Sequence, residues 1–245
     1  MKFKDFARKH WRIWYVSYIF IYLPWFFAME HLVTDATPNL HIMHSFVDDM
    51  IPFCEYFIIP YLLWFAYIAT VYVWMFLHDR KQFFRYISFI YTGMTLFLII
   101  STIYPNGHLL RPLEFDRDNI FIKLVCFIYW ADTSTNILPS IHVFNSIGAH
   151  MAVMHSPELL QKKWTVRLSR ILCVSIILST MFIKQHSCID VILGILFGTI
   201  MNHIVYHTNF LVKAHDFICK LIGNHGNFSS TLAREIHSTA KDTEI

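Results

Sequence analysis

The chain has 245 residues, of which 56% are hydrophobic and only 15% are charged, whereas an ordinary soluble domain has about 25% charged residues. A soluble domain of this length could not bury so much apolar surface in one core, so this composition excludes that class and favours a lipid environment. The formal net charge of +3 is small and gives no reason to expect a nucleic-acid partner. The five cysteines form no C-x-x-C pair, so neither a zinc site nor a disulfide framework is indicated.

Six apolar stretches are long enough to cross roughly 30 Å of hydrocarbon. They predict an all-α integral membrane bundle of six transmembrane helices. In chain order the stretches are Trp11–Met29, Pro52–Leu77, Tyr86–Tyr104, Ile137–His155, Ser169–Ile183 and Ile189–Val212. The first follows basic residues, as in a signal peptide, but it lacks a small-residue cleavage site and is predicted to be retained.

Two shorter segments have the pattern of helices that lie along a membrane surface. Asp118 or Asn119 is a candidate cap for a helix with Phe121, Leu124, Val125 and Ile128 on one face. After the membrane catalytic domain (1–212), the segment 213–245 is predicted to be a cytoplasmic amphipathic helix, ended by Gly223, and a polar tail. The alternative for both segments is that they simply pack on the bundle.

The distribution of basic residues predicts the orientation of the bundle. Sixteen of the 20 Lys and Arg residues fall in the N-terminal segment, the second and fourth connections and the tail. The other side has only Arg111, Arg117, Lys123 and Lys184. Because positive charge marks the cytoplasmic face, we expect a multi-pass protein of the cell membrane with both termini in the cytoplasm and the first, third and fifth connections outside.

Three polar clusters occur where lipid would penalise them, and such groups usually face a cavity or a site. The first is Arg111-Pro112, the second is Pro139-Ser140-Ile141-His142, and the third runs from Lys184 to Asp190. The predicted topology places all three on the outer side at a similar depth. This convergence predicts an extracytoplasmic active site.

The third cluster carries a candidate nucleophile. His186 and Asp190 are four residues apart, so on one helical turn they would share a face. A carboxylate bonded to one ring nitrogen fixes the tautomer and leaves the other nitrogen free to attack. His142, from a different helix, could donate a proton to a leaving group.

Three further residues could hold phosphate oxygens, namely Arg111, Ser140 and Lys184. Cations around one nucleophile suit phosphoryl transfer, in which charge spreads over three oxygens. Each residue taken alone has a simpler interpretation: a helix cap for Ser140, a lipid-headgroup contact for Arg111 and snorkelling for Lys184. The joint pattern favours a site.

These residues resemble the signatures of the type 2 phosphatidic acid phosphatase superfamily. The run from Pro139 to His142 is similar to its P-S-G-H motif. Ser179-Thr180, five residues, His186, three residues and Asp190 are similar to its S-R-x5-H-x3-D motif. Arg111-Pro112 resembles the end of a third motif, which is headed by a lysine seven residues before the arginine.

The resemblance implies a fold shared with haloperoxidases and a function without any metal or other cofactor. It implies a phosphohistidine on His186, oriented by Asp190, with His142 protonating the leaving group and with Arg111 and Ser140 binding phosphate. Three positions depart from the motifs, namely Tyr104, Ile141 and Thr180, and two of these replace cations. Lys184 could restore one cation. The departures are similar to the branch that contains inositol phosphorylceramide synthases, in which an alcohol captures the phosphoryl group.

The leading prediction is therefore a phosphatase that hydrolyses a lipid phosphate monoester or diphosphate. Its partners would be that lipid phosphate substrate and the surrounding membrane lipids, and the oligomeric state is left open. The first alternative is a transferase that moves a phospho-headgroup between lipids. The second alternative is a lipid transporter or scaffold without catalysis. A soluble haloperoxidase is excluded by the six apolar stretches.

Overall fold

The computed structural model describes residues 17–208 and residue 210, and these residues are mostly helical. The helices are α1 (Ile19–Leu32), α2 (Phe46–Met50), α3 (Ile58–His78), α4 (Arg80–Ile103), α5 (Ile120–Ala131), α6 (Ile141–His155), α7 (Pro157–Gln161), α8 (Lys163–Phe182) and α9 (Cys188–His207). A 3₁₀ turn, Glu55–Phe57, leads into α3, and the strands β1 (His41–Ile42) and β2 (Asn106–Gly107) have two residues each. The predicted helical class is confirmed, and the two short strands were not expected.

Among the described residues, four helices are long and apolar enough to cross a membrane, namely α3 with its leading 3₁₀ turn, α4, α8 and α9. Helix α1, which overlaps the described part of the first predicted span and ends three residues beyond it, has 14 residues. Helix α6 has 15 residues, which at about 1.5 Å per residue is shorter than the hydrocarbon core. Helix α6 begins at Ile141 rather than at the predicted Ile137, because Ser140 caps it and the preceding residues form a loop.

Helix α6 is the central helix of the bundle. It packs against α3, α4, α8 and α9, and most of its side chains are buried, including His142, Asn145 and His150. Neighbouring helices therefore shield the polar residues that interrupt this apolar stretch.

Close packing around α6 depends on glycine. A Cβ atom at Gly93 in α4 would lie 2.0 Å from the ring of Phe144. A Cβ atom at Gly194 in α9 would lie 3.0 Å from the carbonyl oxygen of Ser140. The second contact brings α9 against the first turn of α6, where the candidate site lies.

Three connections meet at one end of the bundle. Strand β1, after α1, pairs in parallel with β2, after α4, in the register His41 to Asn106. Gly107 also forms a bridge with Thr135 in the segment before α6. The backbone N–H of Cys54 donates to the carbonyl of Phe182 at the end of α8. The first, third and fifth connections of the predicted topology are therefore joined, as the polar clusters suggested.

The helix predicted after the third span is present as α5, and its buried Ile122, Val125 and Ile128 show that one face packs on the bundle. The side chain of Asn119 caps it by accepting hydrogen bonds from the backbone N–H groups of Phe121 and Ile122. The second predicted amphipathic helix, after the sixth span, lies outside the described residues.

Replacing Gly93 by alanine should destabilise the bundle by about 1–3 kcal/mol, because overpacking forces Phe144 and the backbone of α6 to shift. The midpoint of thermal unfolding in detergent measures this change. Gly198→Ala is the matched control, since the three atoms nearest to its Cβ would belong to the Ile147 side chain at 3.0 to 3.4 Å, a much smaller overlap than at Gly93. Equal midpoints for the two variants would contradict this account of α6.

Candidate active site

A chain of three side chains links α9, the preceding turn and α6. His186 Nδ1 donates to Asp190 Oδ2 over 2.5 Å, and His186 Nε2 lies 3.2 Å from His142 Nδ1. All three residues are buried, with exposed fractions of 6% for His186, 0% for Asp190 and 7% for His142. With the Nδ1 proton of His186 directed at the carboxylate, its Nε2 accepts from His142.

The turn between α8 and α9 differs from the sequence prediction. His186 does not lie on a helix with Asp190, because α9 begins at Cys188 and is capped by Ser187. The backbone reverses at Lys184, where φ is 56°, and the N–H groups of Gln185 and His186 both donate to the Thr180 carbonyl. The pair therefore meets because the turn folds His186 back over the first turn of α9.

Asp48, in the connection after α1, holds this turn in place. Its Oδ2 accepts from the Ser187 hydroxyl at 2.6 Å and its Oδ1 from the Cys188 N–H at 2.7 Å. Asp48 also closes a capping box with Ser45 at the start of α2. Burial acts to raise the pKa of Asp48, but the hydrogen bonds from Ser187, Cys188 and Ser45 outweigh it and lower the pKa.

His108 supports the same turn from the third connection. Its Nδ1 accepts from the Leu110 N–H at 3.1 Å, so its Nε2 carries the proton and donates to the Gln185 carbonyl at 3.0 Å. Burial, followed by the charges of Arg111 and His186, lowers the pKa of His108 to about 3. The ring is therefore neutral and holds the residue before His186.

His142 is positioned by the first turn of α6. The Ser140 hydroxyl accepts from the Val143 N–H at 3.4 Å, and the Ser140 N–H donates to the Asp190 carbonyl at 3.1 Å. The rings of Tyr61 and Trp64 lie 4.8 and 4.6 Å from the His142 ring. Ser140 thus has the capping role that sequence alone left as its simpler interpretation, and it joins α6 to α9.

Arg111 lies beside the site, but its guanidinium is bound to backbone. It donates to the carbonyls of Tyr129, Asp132 and Thr133 at 2.7 to 3.1 Å and lies 4.5 Å from the Tyr129 ring centroid. Carbonyls at a helix C-terminus lack intrahelical donors and favour a cation. Burial lowers the pKa of Arg111, and these contacts make it a cap for α5.

Lys184 is also bound to backbone oxygens. Its ammonium donates to the carbonyls of Asp48 at 2.7 Å and Ile51 at 2.5 Å. These bonds fasten the first connection to the turn before α9. The structure therefore brings together His142, His186 and Asp190, with Ser140 adjacent, and it does not direct Lys184 or Arg111 at the imidazoles.

A cavity of about 340 Å³ opens beside the two imidazoles. Apolar and aromatic side chains line most of it, among them Phe26, Tyr61 and Trp64, and polar groups come from Glu30, Asp132, Asn136, Asn145 and Gln185. A cavity of this size and lining is typical of a small-molecule or headgroup site.

Burial is the largest cause of the pKa shifts of two titratable residues that line this cavity, His186 and Asp132. Burial and then the charge of Arg111 lower the pKa of His186 to about 3, so its free nitrogen keeps a lone pair at neutral pH. Burial and then the charge of Glu30 raise the pKa of Asp132 to about 6. The Asp132 carboxylate accepts from Gln185 at 3.1 Å and from Tyr61 at 3.4 Å.

Sequence reasoning missed three residues of this region, namely Asp48, His108 and Asp132. The Ser45-x-x-Asp48 spacing of a capping box could have marked Asp48 as a cap, but not the second helix that it caps. No motif in the sequence around His108 or Asp132 indicates that either residue belongs to the site. Among the described residues, no group of three or more His, Cys, Asp and Glu side chains is arranged to hold a metal ion.

No family model matches the chain, and no curated protein or solved structure matches it either.

Asp48→Asn should destabilise the protein by about 1–3 kcal/mol, because the amide replaces an ionised acceptor of several buried hydrogen bonds. Asp49→Asn is the matched control, since Asp49 is exposed and pairs only with His44 in the described structure. Folding lowers the pKa of Asp48, so its stabilisation is present above the ordinary aspartate pKa and is lost as the pH falls through the lowered value. The gap in thermal midpoint between wild type and Asp48→Asn should therefore narrow in acid. A gap that does not change with pH would contradict the assignment of this stabilisation to the ionised Asp48 carboxylate.

Proposed function

We propose that this chain is a multi-pass membrane enzyme that cleaves a lipid phosphate ester through a phosphohistidine on His186. The observation that carries the proposal is the buried Asp190–His186–His142 chain at the edge of a cavity. A carboxylate that orients one ring nitrogen and a second acid–base group at the other is the arrangement of an activated nucleophile.

The two histidines divide the proton and phosphoryl transfers between them. His186 Nε2 attacks phosphorus, and the bond from phosphorus to the leaving oxygen breaks. That oxygen takes a proton from His142, so this step requires His142 to be protonated once the anionic lipid phosphate is bound. An incoming hydroxyl then attacks the phosphohistidine and gives its proton to His142, and the electron pair of the N–P bond returns to His186. Asp190 stabilises the His186 ring while it carries positive charge.

Backbone groups, rather than the predicted cations, are the donors that this proposal assigns to the phosphate oxygens. As the first residues of α6, Ile141 and His142 have N–H groups without an acceptor inside the helix. A helix N-terminus favours an anion, and the Trp64 indole N–H, which is buried without a partner among the described residues, lies beside His142. Ser140, the N-cap of α6, lies at the same end of this helix.

The incoming hydroxyl distinguishes a phosphatase from a headgroup transferase. The transferase has a specific observation in its favour, because both imidazoles are at least nine-tenths buried and face a cavity lined largely by aromatic and aliphatic side chains. Such a cavity limits access of water to the phosphohistidine and suits a lipid alcohol as the acceptor. Release of inorganic phosphate, against transfer of label to a lipid alcohol, separates the two activities.

In the proposed membrane arrangement α1 and α6 join the four long helices as spans, with the site at the extracytoplasmic surface. The asymmetric distribution of basic residues supports this orientation, and the joined first, third and fifth connections are consistent with it.

Replacing His186 by alanine should lower turnover by at least about 100-fold, because the attacking atom is lost. Asp190→Asn should keep the fold but lose much of the rate, since the amide cannot stabilise a positive ring. Acid-labile, base-stable label on the trapped protein, after reaction with labelled lipid phosphate, measures the intermediate. His150→Ala is the matched control, because His150 is a buried histidine of the same helix as His142 but bonds to Ser169. An active His186→Ala protein would overturn the mechanism.

A cysteine at Leu113, which is 99% exposed, should react with an impermeant thiol reagent added outside intact cells. A cysteine at Lys163, at the opposite end of the bundle, should not react. Both variants are made after the native cysteines have been replaced. The reverse labelling pattern would contradict the proposed orientation.

A further inference from the structure

Two residues that line the cavity beside the imidazoles carry buried acceptors that lack a donor. Asn136 and Gln185 both line it, and they are only 5% and 2% exposed. Asn136 Oδ1 and Gln185 Oε1 have no hydrogen-bond partner in the described part of the protein. A buried acceptor without a donor is costly, so these oxygens indicate a ligand that supplies N–H or O–H groups.

The orientation of both amides is fixed by their neighbours. Asn136 Nδ2 donates to the Met29 carbonyl and to Glu30 Oε1, both at 3.2 Å. Gln185 Nε2 donates to Asp132 Oδ2 at 3.1 Å. Since carbonyl and carboxylate oxygens only accept, neither amide can turn to present its nitrogen to the cavity without losing these bonds.

The charge of the cavity wall is negative. Glu30 and Asp132 both line it, and no lysine or arginine does among the described residues. Burial and then the charge of Glu30 raise the pKa of Asp132, although the charge of Arg111 behind the wall acts to lower it. The net rise indicates that a further cation inside the cavity would favour the ionised carboxylate. Aromatic rings complete the wall, including Tyr22 and Phe26, and such rings attract cations.

These features exclude most of the groups that a phospholipid could place there. A second phosphate or a carboxylate would be repelled by two carboxylates. An acyl chain would leave the amide oxygens unpaired. A quaternary ammonium carries charge but has no N–H donor, and a glycerol or inositol hydroxyl donates but carries no charge. A primary ammonium supplies both.

We propose that this cavity binds the primary ammonium of an ethanolamine-type phospholipid headgroup, with the adjoining phosphate at His186. The inference rests on the proposed function and assigns its substrate class. In the first step the bond from His186 Nε2 to phosphorus forms, the bond from phosphorus to the diacylglycerol oxygen breaks, and that oxygen takes the proton of His142. Phosphoethanolamine remains on His186 until an acceptor hydroxyl attacks phosphorus and returns a proton to His142.

Four lipids with identical acyl chains, assayed in mixed micelles, test separately the positive charge and the hydrogen-bond donors of the headgroup. Phosphatidylethanolamine has charge and donors, phosphatidylcholine has charge without donors, N-acetyl phosphatidylethanolamine has a donor without charge, and phosphatidylglycerol has hydroxyls without the cation. We expect kcat/KM for phosphatidylethanolamine to exceed that for each of the others by at least tenfold. Asp132→Asn should lower the phosphatidylethanolamine value about tenfold and the others less than twofold. Asp35→Asn is the matched control, since Asp35 is exposed and accepts from Ser134.

Equal turnover of phosphatidylethanolamine and phosphatidylglycerol, or an equal loss on all four lipids in Asp132→Asn, would overturn the headgroup assignment while leaving the proposed chemistry intact. Binding is measured separately with His186→Ala, as the rise in thermal midpoint on adding each lipid. A rise specific to phosphatidylethanolamine, together with wild-type protein that turns over none of the lipids, would support the cavity and contradict the proposed function. The absence of any specific rise would contradict the cavity.

Discussion

The hydrogen bond between Asp190 and His186 is the constraint around which the site end of the bundle is arranged. A carboxylate and an imidazole at this depth must satisfy each other, because either one left alone would bear the full penalty of desolvation. Asp190 is fixed by the first turn of α9, so His186 must be brought to it by the turn before that helix. Asp48 caps the helix, and His108 holds the Gln185 carbonyl. The first and third connections therefore both help to position the His186 ring.

The hydropathy of the chain predicted its helices well, because each long helix must present apolar side chains in every direction to lipid or to neighbours. Within the part of the chain that the structure describes, four of the six expected spans reach the required length and composition. The boundary of α6 was less predictable. Apolar residues before Ile141 extend the hydropathy signal, but Ser140 ends the loop and caps the helix through its hydroxyl. Hydropathy does not register such a cap.

The placement of the charged side chains was the least predictable feature of the site. Sequence spacing correctly associated His186 with Asp190, although the contact is made by a turn rather than by a helix face. The same reasoning assigned Arg111 and Lys184 to phosphate, whereas both bind carbonyl oxygens that loops and a helix end leave without donors. A long cationic side chain takes the nearest unsatisfied acceptor. Which acceptor is nearest depends on tertiary structure that one sequence does not display.

The missing cations and the acidic cavity have one explanation under the proposed substrate class. Tyr104 and Thr180 occupy positions where the resembling family has cations. In this chain Tyr104 stacks on His41, and Thr180 is buried beneath the turn. A phosphate monoester with up to two negative charges would need such cations. A zwitterionic phosphodiester carries one negative charge on phosphorus and its own positive charge nearby. The N–H groups at the start of α6 can match the negative charge, and the carboxylates of Glu30 and Asp132 can match the positive charge. The absence of cations at Tyr104 and Thr180 and the presence of carboxylates at Glu30 and Asp132 are then two parts of the same electrostatic complementarity.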